Sequence, residues 1–213
     1  MSADLLQSTL DALIERFCAG AFVGETARAR AEYDARTGRV FEDDELYEAR
    51  TIAFLEWYVL ERPLGGTPPV VHLLHDAALA TVALRAWATS HRSLFAIDEL
   101  GDGSVTLEDL VGGGRFRVEE RRQLHGVGLG DLVEARLVAW NGQVVLGRTF
   151  LYHPASTRPA VAEHARRIRA AGGTRGDIVD YVASLRVKSE RYRHVAPERV
   201  YAAAEPGYQG EAP

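Results

Sequence analysis

Hydrophobic and polar positions alternate with a period of two between residues 93 and 153, a pattern that is typical of β-strands. In the segment 132–140, Val133, Ala135 and Leu137 fall on one face, whereas Glu134 and Arg136 fall on the other. The pattern predicts strands at 93–100, 105–110, 115–119, 132–140 and 143–152. Because one face is apolar and the other polar, we expect an antiparallel sheet with one face in water.

Turn sequences rich in glycine separate these strands. Asn141-Gly142 predicts a tight hairpin, because both turn positions need a positive φ. The run 112–114 consists of three glycines and marks a second turn, and glycines at alternate positions of 126–130 mark a longer loop. A set of strands this short suits a small barrel or a bent meander, and oligonucleotide-binding and Src-homology-type barrels are common examples.

Hydrophobic positions at helical spacing lie on both sides of the strand region. The predicted helices are 3–19, 24–36, 44–61, 76–90, 159–171 and 177–192. The helix 44–61 is the most aromatic, and we expect Phe54 and Trp57 to be core residues. Pro63 then stops that helix.

The predicted fold class is therefore α+β. A helical region at 1–92 precedes a small antiparallel β-barrel or bent meander at 93–156. C-terminal helices at 157–202 pack on the rest, and a flexible tail follows at 203–213. Because so small a sheet is marginal alone, we expect the chain to fold as one cooperative unit.

Composition limits the class of protein without giving an activity. The chain has 213 residues, a net charge of −5 and 46% hydrophobic residues, which is ordinary for a globular protein. It has no apolar run long enough for a spanning helix, and acidic residues at the N-terminus argue against a signal peptide. Cys18 is the only cysteine, which excludes an intramolecular disulfide. The expected location is cytoplasmic.

The sequence resembles an uncharacterised bacterial protein family with an F-x-x-W-Y/F-x-L-x-x-P-L helical motif followed by a small β module. The motif is carried by residues 54–64, FLEWYVLERPL, and the segments 94–97, 130–138 and 190–201 fit the same plan. The resemblance covers most of 40–201 and implies an architecture but no established activity. Some similar proteins carry a cysteine-rich zinc motif, which this chain lacks.

No motif indicates catalysis, a cofactor or a metal. The glycines of 126–130 precede a strand rather than a helix, so they do not match a phosphate-binding loop. His72 and His75 have a spacing that permits metal binding, but only Asp76 lies nearby as a third ligand, so the question stays open. An enzyme whose site assembles from scattered residues is a remaining alternative, with the candidates Glu56, His125 and Asp131.

Two sets of residues are candidates for binding. The polar face of the sheet carries Arg115, Arg117, Arg136 and Trp140. The last long helix carries Arg186, Lys188, Arg191 and Arg193, within a C-terminal third of net charge +3. Trp140 either stacks on a partner or closes the barrel beside the hairpin.

The leading hypothesis from the sequence is a non-catalytic binding or adaptor protein with a protein partner and no membrane partner. RNA binding through the β module and the basic helix is the alternative, although the net charge of −5 argues against tight nonspecific DNA binding.

Overall fold

The computed structural model describes residues 3–120 and 126–203 and mixes helices with one five-stranded sheet. The α-helices are α1 Ala3–Cys18, α2 Val23–Thr37, α3 Tyr47–Leu60, α4 Pro69–Leu74, α5 Val82–Ala88, α6 Arg158–Ala170, α7 Arg175–Arg191 and α8 Pro197–Ala202. The strands are β1 His91–Gly101, β2 Ser104–Asp109, β3 Arg115–Glu119, β4 Leu132–Trp140 and β5 Gln143–His153. Single 3₁₀ turns occupy Gly20–Phe22 and Ala155–Thr157. His125 and the predicted tail beyond residue 203 lie outside the described residues.

The strand pairings close into a ring in the order β1-β2-β3-β5-β4. Strand β1 pairs with β2 and β4, β2 pairs with β3, and β4 pairs with β5, all antiparallel. The prediction of a wholly antiparallel sheet is wrong at one place, because β3 and β5 are parallel where Glu119 meets Val145. Successive antiparallel steps give β1, β3 and β5 the same direction, so the pairing that closes the ring must be parallel.

The predicted hairpin at Asn141-Gly142 is confirmed. Asn141 has φ 53° and Gly142 has φ 77°, the left-handed pair that a two-residue hairpin requires. The turn brings Trp140 opposite Gln143 and sets the register of β4 against β5. The observed bounds of β3 and β4 equal the predicted ones.

Apolar side chains form three clusters. The interior of the ring is filled from all five strands, with Phe95, Val133 and Leu146 among its members. Helices α1 to α5 form a second cluster, which includes Trp57 and Phe54 as predicted. Helices α6 to α8 pack on the outer face of β1 and on the first residue of β4 to form the third cluster.

Local capping shortens two of the predicted helices. Helix α3 begins at Tyr47 rather than residue 44, because the Asp44 carboxylate accepts from the Phe41 amide and closes a turn. The predicted helix 76–90 is reduced to Val82–Ala88, because the Thr81 hydroxyl caps its start by accepting from the Leu84 amide. Helix α8 was not predicted, and its six residues are too few to show a helical period.

The prediction that one face of the sheet lies in water is wrong for β4. Val133 and Ala135 point into the ring, as the alternation requires. The opposite face is also buried. Helices α3 and α5 pack over its C-terminal end, at Val138 and Trp140, and α7 packs over its N-terminal end, at Leu132. Glu134 and Arg136 are therefore enclosed between two groups of helices rather than exposed to solvent.

Candidate functional site

The residues predicted to bind on the sheet do not form one surface. Arg115 and Arg117 are exposed on β3. Arg136 is 2% exposed, so the expectation that it shares an exposed face with them is wrong. Trp140 is 5% exposed and packs with the N-terminal helices, so it is buried rather than exposed to a partner. The physical reason is the same for both residues, since helices cover the outer face of β4.

The predicted basic residues of the last long helix are mostly engaged within the chain. They are Arg186, Lys188, Arg191 and Arg193. Arg186 donates to the Tyr152 carbonyl at 2.9 Å and pairs with Glu190 at 2.7 Å. Arg193 pairs with Glu45 at 2.9 Å, and Arg191 donates to the Arg39 carbonyl. Their positive charge is therefore partly neutralised, and only Lys188 is exposed without such a contact among the described residues.

The carboxylates considered as scattered catalytic groups have structural roles. Glu56 is buried on α3 and accepts from the Thr149 hydroxyl at 2.7 Å and from the Arg148 amide at 2.8 Å, which fixes β5 to the helix. Asp131 accepts from the Gly128 amide at 2.7 Å and closes the glycine loop. His72 contacts the Leu64 carbonyl. Among the described residues, no group of three or more potential metal ligands is brought together.

A buried charge cluster occupies the outer faces of β1 and β4 and the helices over them. Its members are Arg50, Glu56, Arg92, Glu134, Arg136 and Asp180. Arg92 donates from Nε and Nη2 to Glu134 Oε1, at 2.9 and 2.7 Å, and from Nη1 to Asp180 Oδ1 at 2.8 Å. Arg136 donates from Nε to Glu56 Oε2 at 3.1 Å. The alternation of Glu134 and Arg136 in the sequence thus marks a buried ionic interface between the sheet and the helices.

Arg50 differs from the other members of the buried charge cluster. Its guanidinium is 1% exposed, and within the described residues its three nitrogens have no hydrogen-bond partner. Glu134 Oε2 lies 3.7 Å from Arg50 Nη1, and the guanidinium lies over the Tyr33 ring at 4.8 Å from its centroid. The charge of Arg50 is therefore stabilised by attraction to the Glu134 carboxylate, without a hydrogen bond, and by the face of the Tyr33 ring.

One side of the buried charge cluster opens into a cleft of about 290 Å³. We call it the arginine cleft, and it is lined by Leu60, Glu61, Ala88, Ser90, Arg92, Arg136, Arg175, Gly176 and Val179. Arginines from three separate elements, β1, β4 and the start of α7, therefore line one opening. Glu61 is the only acidic residue of its lining.

Glu61 lies between two of these arginines, just after α3 ends. Its Oε1 accepts from Arg136 Nη2, and its Oε2 lies 3.6 Å from Arg92 Nη1. Burial by itself would raise the pKa of Glu61, but Arg136 and Arg92 outweigh it and hold that pKa below its usual value. Glu61 is therefore an anion at neutral pH and occupies the space between the two guanidinium groups.

Arg175 is the first residue of α7 and is exposed at the mouth of the arginine cleft. It donates to His91 Nδ1 at 2.7 Å, and His91 Nε2 donates to Asp109 Oδ2 at 2.7 Å. Burial raises the pKa of Asp109, but hydrogen bonds from the Gly112 amide, Ser93 and His91 lower it below the usual value. Both nitrogens of the His91 imidazole are thus hydrogen-bonded, and Asp109 positions Arg175 through this imidazole.

No local pattern in the sequence predicts the arginine cleft. Arg92, Arg136 and Arg175 are far apart along the chain and belong to different predicted elements. The side-chain alternation predicts Arg136 as an exposed binding residue, whereas it is buried, and no sequence pattern points to Arg92, Arg175 or Glu61.

Comparison with known proteins finds no matching family model, curated protein or solved structure. The family resemblance stated from the sequence therefore stays a prediction. In the part of the chain that the structure describes, no helix is both long and apolar enough to cross a membrane.

Proposed function

We propose that this chain is a non-catalytic binding protein that holds an acidic side chain of a protein partner in the arginine cleft. The observation that carries the proposal is that three arginines, Arg92, Arg136 and Arg175, line one opening. Arginine stays charged at all physiological pH values, and its planar donors match the geometry of a carboxylate. The elements that supply these residues are packed against one another, so the site exists before a partner binds.

The size and walls of the arginine cleft support this class of ligand. A volume of about 290 Å³ lies at the lower end of the range for small-molecule pockets and suits a group the size of one side chain. Leu60, Ala88 and Val179 provide apolar surface beside the cations. An acidic residue has methylene groups that can pack on this surface while its carboxylate faces the guanidinium groups.

The hydrogen bonds of the cleft support binding rather than catalysis. The Ser90 hydroxyl donates to the Trp87 carbonyl at 2.6 Å and accepts from Arg136 Nη1 at 3.1 Å, so it lacks a base that would activate it as a nucleophile. The His91 imidazole is held between Asp109 and Arg175. Because a guanidinium occupies its Nδ1 lone pair, this imidazole is not available as a general base.

The strand ring favours RNA binding as a second candidate. We propose that the ring is a small closed barrel of the oligonucleotide-binding kind, a class that binds nucleic acid on one face of its sheet. The exposed charges around β2 and β3 weigh against it. Asp98, Glu99 and Asp102 are exposed near Arg115 and Arg117, and Asp98 pairs with Arg115. A face that carries this many carboxylates does not neutralise phosphates.

The proposal is tested with N-acetylglutamate amide, which models one acidic residue of a peptide, and with its uncharged glutamine counterpart. Titration of the ¹⁵N-labelled protein should shift the backbone amides of Arg175 and Gly176 with the glutamate compound only. Arg175→Ala should weaken binding roughly tenfold, the effect of losing one charge-assisted hydrogen bond. Arg166→Ala is the matched control, because Arg166 is an exposed helical arginine whose only ion pair in the described part of the chain is with its neighbour Glu163.

Equal binding of the two compounds, or equal affinity of the Arg175→Ala and Arg166→Ala variants, would contradict the proposal. The same protein is titrated with mixed-sequence single-stranded RNA over a range of salt. We expect no binding at physiological salt. Tight binding there, weakened in an Arg115→Ala/Arg117→Ala variant, would place RNA first.

A further inference from the structure

Glu61 is the most accessible carboxylate in contact with the buried arginines. Its side chain is 30% exposed, whereas those of Glu56, Glu134 and Asp180 are almost completely enclosed. It is the residue that follows the last turn of α3, with φ −125° and ψ −40°, outside the regular helix. Its side chain can therefore turn towards solvent without disturbing a helix or strand.

The contacts of Glu61 are also the easiest to replace. Its carboxylate contacts only the Arg136 and Arg92 side chains among the described residues. Glu56, by comparison, accepts hydrogen bonds from two backbone amides of β5 as well as from Arg136. If Glu61 moved away, Arg136 would keep its bond to Glu56.

Arg92 would likewise keep its partners if Glu61 moved away, since it is held by Glu134 and Asp180. The two guanidinium groups thus keep their positions whether or not Glu61 lies between them. Arg136 Nη2 donates to Glu61, and Arg92 Nη1 lies 3.6 Å from the Glu61 carboxylate, so both guanidinium groups attract an anion at that position.

We propose that Glu61 is a built-in competitor, whose carboxylate occupies the position that the acidic group of a partner takes on binding. This inference rests on the function proposed above. When the partner binds, its carboxylate replaces that of Glu61 between Arg92 and Arg136, and Glu61 turns out into solvent. The exchange keeps the number of buried charges constant, so it avoids the cost of leaving either a guanidinium or a carboxylate unpaired.

The competitor sets the specificity of the arginine cleft. Glu61 is attached to the site and therefore competes at a high effective concentration. A free small carboxylate displaces Glu61 and binds, but it binds more weakly than an acidic side chain on a partner, which gains further contacts with the surface around the cleft. The cleft thereby favours an acidic residue within a larger partner over a small anion.

The experiment compares the affinity of N-acetylglutamate amide for the wild-type protein, Glu61→Gln, Glu61→Ala and Glu163→Gln. Glu163 lies on an exposed helix face and controls for the change in net charge. Both Glu61 variants should bind roughly tenfold more tightly than the wild-type protein, and Glu163→Gln should bind as the wild-type protein does. Glu61→Gln keeps the shape of the side chain and provides the measurement if Glu61→Ala folds poorly.

The possible outcomes separate this inference from the function on which it rests. If the wild-type protein binds and the Glu61 variants bind no more tightly, the competitor is overturned while the binding function stands. If neither the wild-type protein nor a Glu61 variant binds, both are overturned. If Glu163→Gln gains as much affinity as Glu61→Gln, the gain comes from net charge alone, and the competitor is overturned.

Discussion

Replacement of Glu134 tests whether the buried charge cluster joins the sheet to its helices. Glu134 is fully buried on β4, and its Oε1 accepts two hydrogen bonds from Arg92. Its Oε2 is the nearest carboxylate oxygen to the buried Arg50 guanidinium, at 3.7 Å. Glu134→Gln keeps the size of the side chain but removes its charge, so both arginines lose a buried counter-ion.

The expected cost follows from these contacts. Hydrogen bonds to charged groups contribute ~1.5–3 kcal/mol each, and Glu134 accepts two from Arg92. Arg92 keeps Asp180 as a partner, which limits the loss. We therefore expect Glu134→Gln to lower the free energy of unfolding by ~3–5 kcal/mol, the range seen when one member of a buried ion pair is removed.

Arg50→Gln should cost less than ~1 kcal/mol, because the Arg50 guanidinium donates no hydrogen bond within the described residues. The double variant should be ~1–2 kcal/mol more stable than Glu134→Gln alone, since it no longer buries an uncompensated guanidinium. Urea denaturation of the four proteins gives the coupling energy, with the exposed Glu163→Gln as a control that stays within ~0.5 kcal/mol of the wild type. A loss below ~1 kcal/mol for Glu134→Gln, or a coupling energy of zero, would refute the reasoning.

Two further predictions concern the stability of the fold. Trp57 is buried, and its ring centroid lies 5.2 Å from that of Tyr33. Trp57→Ala should therefore lower the free energy of unfolding, measured by urea denaturation, by ~3–5 kcal/mol. An unchanged melting temperature would show that it is not a core residue. Burial and the nearby Arg186 and Arg50 lower the pKa of His153 from 6.5 to about 3, so this imidazole stabilises the fold above about pH 6.5 and loses that effect as the pH falls towards 3. Between about pH 7 and 4.5 the wild type should therefore lose ~2 kcal/mol more than His153→Gln, and parallel pH profiles of the two proteins would contradict this.

Most of the local structure was predictable from the sequence. The bounds of β3 and β4 and the hairpin at Asn141-Gly142 follow from side-chain alternation and from the φ requirement of the turn, which involve only neighbouring residues. The starts of α3 and α5 were less predictable. They depend on whether Asp44 and Thr81 use their side-chain oxygens in a turn or as a helix cap, and both choices fit the same residue types.

The sequence by itself determined which residues of β4 share a face, because successive side chains of a strand point to opposite sides. Only the tertiary structure decided that both faces are buried from Leu132 to Val138. Glu134 and Arg136 lie under helices from distant parts of the chain, and their burial is tolerable because Arg92 of β1 pairs with Glu134 and Glu56 of α3 pairs with Arg136. The arginine cleft has the same origin. Arg92 and Arg175 become neighbours only when α7 packs on the sheet, and a local pattern holds no information about such contacts.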